Sequence, residues 1–398
     1  MCEFMLNYYI KLNLYFQVFV TKNIIHYFIL VSSPFYTSIA IFLFNDIIVL
    51  VINMYLREET RTVKLKNLEL GGNSHIYIQS MCNTKTKDVE ATVNQIKELE
   101  KAGCEIIRVA CLDMEDCKAI GEIVKRINIP LVADIHFQPE YALEAIRQGV
   151  NAIRLNPGNI RDKDKIKEIV ELAKEHQIPI RIGVNGGSLP KGTTLNAQSM
   201  VDAAYHHVKI LEDLGFYDIV ISLKASNIQL SKEVYELAAK TFKYPLHVGI
   251  TEAGTSFSGL IKSAMGCDEI LNLGIGNTIR ISLTDDPIVE VRAAKEILNN
   301  LKLIKHVPYF TSCPTCGRTQ YDMIPIAKEI ENYLYTVNKD IHVAVMGCAV
   351  NGPGEAKEAD LGVAGGIGEA ILFKKGKVVR KIKEDEIVSE LIKEIDAF

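Results

Sequence analysis

Three cysteines near the C-terminus have the spacing of ligands for a single metal centre. Cys313 and Cys316 are separated by two residues, and Cys348 follows in a later segment rich in Gly and Pro. Thiolates placed in this way can reach one metal centre from two neighbouring loops. No cysteine follows Cys348, so the nearest candidate for a fourth ligand is the carboxylate of Glu355.

The missing fourth thiolate bears on the chemistry of such a centre. If three thiolates hold three irons of a [4Fe–4S] cluster, the fourth iron has an exchangeable oxygen donor and can accept a substrate oxygen. A structural zinc site with the same ligands is an alternative, and so is a Cys-x-x-Cys pair with a redox role or none. The spacing alone leaves all three readings open.

Length and composition limit the class of protein. The chain has 398 residues, which is enough for two domains, or for one large barrel and a smaller unit. Its formal net charge of -4, with both signs mixed, provides no basic surface for nucleic acid. Nine cysteines without a regular framework are typical of a reducing compartment, so we expect a cytoplasmic protein.

Residues 1–53 differ from the rest of the chain. They contain no Gly and no Arg, and they are rich in Phe, Ile, Tyr and Asn. The stretch from Phe35 to Leu56 is long and apolar enough to suggest a membrane span, although Asn45 and Asp46 interrupt it. We interpret residues 1–53 as translated upstream sequence and Met54 as the start; a membrane anchor is the less favoured alternative.

From residue 54 to residue 305, short β-branched runs alternate with helical stretches. Eight such units predict a (β/α)8 barrel, and a doubly wound sheet is the alternative because it alternates in the same way. The eight runs are residues 76–81, 106–110, 129–134, 152–155, 179–184, 219–223, 246–250 and 279–283.

Polar residues recur at the ends of these runs. Their period of two aims them at one face, which in a barrel is the mouth at the carboxyl ends of the strands. Four arginines and a lysine at one mouth would repel each other, so a phosphate or diphosphate ligand is the simplest explanation. The residues are Arg108, Asp134, His136, Arg154, Asn156, Arg181, Asn185, Ser222, Lys224, Ser226, Arg280 and Ser282.

Three further features near the predicted strands bear on this mouth. Glu252 follows the seventh run and is the best-placed acid, although it could instead orient an arginine. The turns at Asn156–Asn159 and Gly274–Asn277 could present backbone amides to an anion.

Residues 306–398 do not continue the regular alternation of strand and helix. They predict a small α/β domain with both cysteine loops at strand ends. The predicted elements are strands at 306–310 and 341–346, a helix at 324–334, a hairpin of 370–373 with 377–380, and a helix at 385–395. The barrel cysteines lack metal spacing, and we expect them to be buried: Cys82, Cys104, Cys111, Cys117 and Cys267.

Several motifs in this order closely resemble the bacterial 4-hydroxy-3-methylbut-2-enyl diphosphate synthases of the methylerythritol phosphate route to isoprenoids. The resemblance begins near Arg61 and continues to the C-terminus. The motifs are Cys-Pro-Thr-Cys-Gly-Arg at 313–318, Cys348 with Asn-Gly-Pro-Gly-Glu at 351–355, Leu-Asn-Pro-Gly-Asn at 155–159, Arg-Ile-Gly-Val-Asn at 181–185, Thr-Glu-Ala-Gly at 251–254 and Gly-Ile-Gly-Asn-Thr-Ile-Arg at 274–280.

The resemblance implies a specific reaction and cofactor. The family reduces 2-C-methyl-D-erythritol 2,4-cyclodiphosphate by two electrons, opens its ring and releases water, using a [4Fe–4S] cluster held by three Cys and one Glu. Here the ligands would be Cys313, Cys316, Cys348 and Glu355. The cyclodiphosphate would lie on the mouth cations, with Asn156, Ser222, Ser226 and Ser282 as hydrogen-bond donors.

The resemblance also implies partners. Electrons would come from reduced flavodoxin or ferredoxin, and the family's head-to-tail homodimer would close one chain's cluster domain over the other chain's barrel. Asn351 would assist the substrate oxygen, unless it only shapes the Asn-Gly-Pro-Gly turn.

Two other functions remain open from the residues alone. One is a barrel enzyme of pterin-binding or aldolase type, in which Asp134, Asn156 and Lys224 bind a ring and the C-terminal cysteines are structural. The other is an electron-transfer module in which the cluster only relays electrons.

Overall fold

A computed structural model describes residues 31–33, 36–39, 52–55, 57–190, 192–348, 354 and 356–398. Near the N-terminus, β1 (Val31–Ser33), β2 (Tyr36–Ile39) and β3 (Ile52–Met54) pair as an antiparallel sheet. Most of the apolar stretch from Phe35 to Leu56 lies outside the described residues. Among the helices that are described, none combines the length and apolar character needed to cross a bilayer. The start at Met54 therefore stays a prediction.

The chain then forms a hairpin and a closed parallel barrel. The hairpin is β4 (Val63–Leu65) with β5 (Leu68–Leu70). The barrel strands are β6 (Tyr77–Met81), β7 (Ile106–Ala110), β8 (Leu131–Asp134), β9 (Ala152–Arg154), β10 (Ile180–Asn185), β11 (Ile219–Lys224), β12 (His247–Val248) and β13 (Thr278–Ile279). Neighbouring strands pair in parallel, and a bridge between Ile221 and Leu246 joins β11 to β12. The prediction of a (β/α)8 barrel is confirmed, and the doubly wound alternative is wrong.

A helix follows each strand of the barrel. The helices are α1 (Val89–Ala102), α2 (Met114–Lys125), α3 (Pro139–Arg147), α4 (Lys163–Glu175), α5 (Ala197–Asp213), α6 (Ile228–Thr241), α7 (Ser256–Leu271) and α8 (Pro287–Asn300). Each buries an apolar stripe against the strands; in α1 the stripe includes Val93, Ile96 and Leu99. Six of the eight begin at an Asp or Asn whose side chain accepts a backbone N–H: Asp88, Asp113, Asp162, Asn196, Asn227 and Asp286.

The end of the barrel opposite the mouth is filled with apolar side chains. Val63, Leu65 and Leu70 of the hairpin pack against inward residues of the strands, such as Val132 and Val220. Among the described residues, this packing closes one end of the barrel and leaves the carboxyl ends of the strands open to a ligand.

The turn at Gly274–Asn277 lies at this closed end, because it precedes β13. The expectation that its amides face an anion in the mouth is therefore wrong. Gly274 has a φ of +79°, and a Cβ there would lie 1.8 Å from the carbonyl oxygen of Tyr55. The glycine thus permits a close backbone contact and does not form part of a ligand site.

The last two barrel strands are shorter than predicted. The run 279–283 was expected to be a strand, but β13 ends at Ile279. The backbone N–H of Leu283 is instead taken by the Glu290 carboxylate, and that of Thr284 by the carbonyl of Gly254. Arg280 and Ser282 consequently lie in an extension beyond the strand.

The C-terminal residues form a second, smaller α/β unit. It contains β14 (Tyr309–Ser312), α9 (Met323–Leu334), β15 (His342–Met346), β16 (Leu361–Gly365), β17 (Glu369–Lys374), β18 (Lys377–Lys383) and α10 (Ile387–Asp396). The sheet has the order β14-β15-β16-β17-β18. The hairpin at Lys375–Gly376 is confirmed, and both residues have positive φ, as a two-residue hairpin turn requires.

The central strand β16 was missed, since Leu-Gly-Val-Ala-Gly-Gly resembles a loop in sequence. Packing explains its glycines. A Cβ on Gly362 would lie 2.5 Å from the ring of Phe373, and one on Gly365 would lie 2.0 Å from the ring of Tyr321. These glycines let aromatic rings lie directly against the strand.

Candidate active site at the barrel mouth

Five cationic side chains gather inside the open end of the barrel. Arg154, Arg181 and Lys224 are buried, and the side chains of Arg108 and Arg280 are each 16% exposed. Strand register explains the grouping, since Arg181 pairs with Arg154 across β10 and β9, and Arg154 pairs with Asp134 across β9 and β8. The sequence-based prediction that these cations converge agrees with this placement.

Asp134 is the central acid of the mouth. Its carboxylate oxygens lie 3.4 Å from Nη1 of Arg154, 3.7 Å from Nε of Arg108 and 3.6 Å from Nε2 of His136. Burial raises the pKa of Asp134, but Arg108, His136 and Arg154 outweigh burial and hold it well below its usual range. Asp134 therefore remains ionised and pairs with two of the five cations.

Gly183 fixes Arg154 and Asn156. Its carbonyl accepts hydrogen bonds from Nη2 of Arg154 and Nδ2 of Asn156, both at 2.8 Å, and its N–H donates to Oδ1 of Asn156 at 2.9 Å. A Cβ at position 183 would lie 2.6 Å from Nε of Arg154. A side chain there would push the guanidinium away, so the glycine is part of the site.

Sequence analysis missed two residues on β6. Oε1 of Gln79 accepts a hydrogen bond from Nη1 of Arg181. The sulfur of Met81 lies 3.1 Å from Nε and 2.9 Å from Nη2 of Arg108. The available signal was their spacing of two in a strand, which places both side chains on one face of it.

A third missed residue, Glu290, lies on α8. Its Oε2 is 3.9 Å from Nε of Arg280, and burial raises the pKa of its carboxyl group. No sequence signal pointed to it, since it is ten positions beyond Arg280 and on a different element.

The mouth holds more positive charge than its acids balance. Within the described residues, Asp134 and Glu290 are the carboxylates that face five cations. Burial lowers the pKa of Arg181 to about 9, and burial together with the neighbouring arginines lowers the pKa of Lys224 well below its ordinary value. Nη2 of Arg181 and Nε of Arg280 are buried with no hydrogen-bond partner in the described part of the chain. Such a site favours an anion.

The other predicted mouth residues lie around these cations. Asn156 and Ser222 are buried, and Ser282 is half-buried. His136, Asn185, Ser226 and Glu252 are exposed at the carboxyl ends of their strands or just beyond them.

Glu252 has the left-handed φ of +52°, which is uncommon for a residue with a side chain. Among the described contacts its carboxylate has no ion pair, so the alternative that it orients a mouth arginine gains no support.

The cysteine loops follow two adjacent parallel strands of the second domain. Ser312 of β14 pairs with Val345 of β15, so the loops that carry Cys313 and Cys348 leave the same edge of the sheet. The N–H of Gly347 donates to Sγ of Cys313 at 3.0 Å. Cys316 is exposed, and hydrogen bonding to Arg318 lowers the pKa of its thiol. These features suit thiolate ligands.

Glu355, the remaining predicted ligand, lies outside the described residues, and so does Asn351. In the part of the chain that is described, no three His, Cys, Asp or Glu side chains are arranged to hold a metal ion. The ligand set is therefore a prediction supported by the chemistry of its thiols and the N–H···S bond.

The barrel cysteines are buried, as predicted. Burial raises the pKa of Cys82, Cys104 and Cys267 to about 12, so these thiols stay protonated. They are small core residues and not ligands.

His207 on α5 supports the loop that carries Asn156. Its Nδ1 accepts the N–H of Gly158 at 3.0 Å, which requires a neutral ring. Burial, followed by the nearby His206 and Arg154, lowers the pKa of His207 to about 4. Sequence analysis missed this residue as well, because its contact joins a helix to a distant loop.

Comparisons with known proteins match nearly the whole described chain. The family described as "GcpE TIM-barrel domain" matches residues 60–295, and the "GcpE protein C-terminal domain" matches residues 309–397. The 4-hydroxy-3-methylbut-2-en-1-yl diphosphate synthase (flavodoxin) of Exiguobacterium sp. is 57% identical over 86% of this chain and 93% of its own. The same enzyme of Clostridium perfringens is 55% identical over 85% of this chain and 99% of its own. Among solved structures, the dihydropteroate synthase of Yersinia pestis is 14% identical with a TM-score of 0.46, over 61% of this chain and 97% of that one.

The low pKa of His207 predicts acid-sensitive folding. The unfolded state binds a proton near pH 6.5 and the folded state only near pH 4, so this contribution to stability is complete above pH 6.5 and is lost as the pH falls towards 4. It amounts to at most about 3 kcal/mol. We expect H207N, whose Oδ1 can still accept the Gly158 N–H, to flatten the dependence of the free energy of unfolding on pH in this window. A slope equal to that of the unmodified protein would contradict the assignment.

Proposed function

The chain belongs to the GcpE family of 4-hydroxy-3-methylbut-2-en-1-yl diphosphate synthases, and we propose that its barrel mouth binds 2-C-methyl-D-erythritol 2,4-cyclodiphosphate for reductive opening. It is an oxidoreductase of isoprenoid biosynthesis. The reaction consumes two electrons and the protons needed to release one hydroxyl as water, and it yields 4-hydroxy-3-methylbut-2-enyl diphosphate. The observation that carries the substrate assignment is the group of five mouth cations facing two carboxylates.

The cations suit the diphosphate of this substrate. Arg108, Arg154, Arg181, Lys224 and Arg280 would bind its phosphate oxygens. Nη2 of Arg181 and Nε of Arg280, which have no hydrogen-bond partner among the described residues, would be available as donors. Asn156, Ser222, Ser226 and Ser282 would donate hydrogen bonds, and Asp134, His136 and Asn185 would line the rest of the site. Because Gly183 and Asp134 already fix Arg154, little reorganisation is needed when substrate binds.

The cysteine loops fit an iron–sulfur cofactor. Cys313, Cys316 and Cys348, with Glu355, would hold a [4Fe–4S] cluster, and the Gly347 N–H would stabilise the Cys313 thiolate. When bound, such a cluster supplies electrons and a Lewis-acidic iron. The relatives are named as flavodoxin-dependent enzymes, which favours flavodoxin over ferredoxin as the electron donor.

Protein side chains would handle protons and orientation. Glu252 is exposed beyond β12 and would act as the acid for the leaving hydroxyl, while Asn351 and Glu355 would assist on the cluster side. A cytoplasmic location stays a prediction.

A head-to-tail homodimer would bring the two halves of the site together. Contacts between the two domains of one chain include Nη1 of Arg292 with Oδ1 of Asn332 at 3.0 Å and Nδ2 of Asn299 with the carbonyl of Pro308 at 3.1 Å. Both contacts involve the outer helix α8 and not the strand ends. This placement favours a cluster domain that serves the mouth of the partner chain.

The alternative of a pterin-binding or aldolase-type barrel with structural zinc is not favoured, since the family match includes the C-terminal domain as well as the barrel. A pure electron relay would leave the cationic mouth without a role.

The assay is turnover of the cyclodiphosphate by anaerobically purified protein with reduced flavodoxin. We expect a brown protein that forms product, and we expect C348S to lose both colour and turnover. C267A, which alters a buried barrel cysteine, should keep both. R154A should keep the colour and weaken substrate binding roughly 30-fold or more. A colourless protein with stoichiometric zinc would contradict the proposal.

Mixed dimers test whether the site is shared. At a substrate concentration too low to saturate R154A, a C348S homodimer should be inactive and an R154A homodimer poorly active, but a dimer of the two contains one site with an intact cluster and an intact mouth. We expect activity close to half that of the unmodified dimer. Absence of recovery in a purified mixed dimer would count against a site built from two chains.

A further inference from the structure

Glu290 is a buried acid in a site that otherwise attracts anions. It lies in the first turn of α8 and is 5% exposed. Burial raises the pKa of its carboxyl group, while Arg280, the Leu283 N–H, Lys224 and Arg108 lower it. A negative charge so close to the cations weakens their attraction for an anion, so its presence requires an explanation.

The two carboxylate oxygens of Glu290 contact the two ends of one short segment. Oε1 accepts the N–H of Leu283 at 2.8 Å. Oε2 lies 3.9 Å from Nε of Arg280, and neither of these two atoms has a hydrogen-bond partner in the described part of the chain. The carboxylate therefore spans residues 280–283, which carry Arg280 and Ser282.

This segment lacks the usual support of a barrel strand. Because β13 ends at Ile279, the backbone beyond Arg280 is held by single contacts and not by a strand ladder. The N–H of Arg280 still donates to the carbonyl of Val248 at 3.0 Å, and Glu290 holds the other end at Leu283. Without these two contacts, the long side chain of Arg280 would extend from an irregular backbone into a group of four other cations.

We propose that Glu290 is a positioning residue that orients the Arg280 guanidinium and its segment toward the diphosphate of the substrate. The inference rests on the proposed function and deepens it. Glutamine at this position would retain the bond to Leu283 but not the charge that faces Arg280. The proposed role therefore requires the negative charge of Glu290. This charge acts on Arg280, and Glu290 itself does not contact the substrate.

The direction in which E290Q changes the dissociation constant for pyrophosphate separates a positioning role from simple charge balance. E290Q removes a negative charge from the mouth, so a carboxylate that only balanced charge would leave a site that binds anions more tightly. A positioning carboxylate predicts weaker binding in spite of the added positive field.

The experiment is calorimetric titration of the full-length protein with inorganic pyrophosphate. We expect E290Q to raise the dissociation constant roughly tenfold, the size of coupling between residues in contact. R280Q should also weaken binding, and the double variant E290Q/R280Q should bind no worse than R280Q alone. The control is E296Q on the same helix, where the half-buried Glu296 faces Asn300 and Glu331, and its dissociation constant should be unchanged.

Each other outcome overturns the inference. Tighter binding by E290Q would make Glu290 a counter-ion, and an unchanged dissociation constant with a lower melting temperature would make it a purely structural residue. Failure of the proposed function is distinguishable, because R280Q would then also leave pyrophosphate binding unchanged. Weaker binding by R280Q but not by E290Q would overturn the role of Glu290 alone.

Discussion

The structure depends on five buried or mostly buried cations at one end of a barrel, where two carboxylates of the described residues face them. Each charge removed from water without a full partner costs several kcal/mol. The lowered pKa values of Arg108, Arg181 and Lys224 express this cost, and burial is its largest cause. If the mouth binds a diphosphate as proposed, the ligand would relieve the repulsion between the cations, and the free energy lost by burying them would be recovered as affinity. In the proposed function, the site is unfavourable without substrate because its charges are arranged to bind the diphosphate.

The rest of the mouth keeps these charges from moving apart. Parallel register places Asp134, Arg154 and Arg181 side by side on β8, β9 and β10. Gly183 then holds Arg154 by accepting its N–H, and the absence of a Cβ at position 183 leaves room for the guanidinium. His207 plays a similar part at the Gly158 loop. The apolar hairpin packs across the other end of the barrel, so in the described part of the chain the cations face a ligand from the mouth.

The cluster of charged side chains at the mouth could be predicted from sequence, because a similar pattern of polar residues recurs at the ends of successive strands. Charged residues at the ends of successive β-branched runs have a period of two, and a barrel turns that pattern into one cluster. Gln79, Met81, His207 and Glu290 escaped prediction since each acts through a contact between distant elements and belongs to no repeat. The strand β16 escaped because its glycines are required by the rings of Phe373 and Tyr321 and look like a loop in sequence. Glu355 was predicted from its position after Cys348 and Asn351 from its nearness to the predicted cluster ligands, and both lie outside the described residues.

The most direct test of the central claim is the stability of K224M with and without inorganic pyrophosphate. Methionine has a similar length but no charge, so replacing Lys224 removes a buried cation that has no ion pair in the described part of the chain. We predict that K224M raises the free energy of unfolding of the ligand-free protein by about 1 kcal/mol or more. It should also largely abolish the rise in melting temperature that pyrophosphate gives the unmodified protein. A ligand-free K224M that is less stable than the unmodified protein, or one stabilised by pyrophosphate to the same extent, would contradict the account.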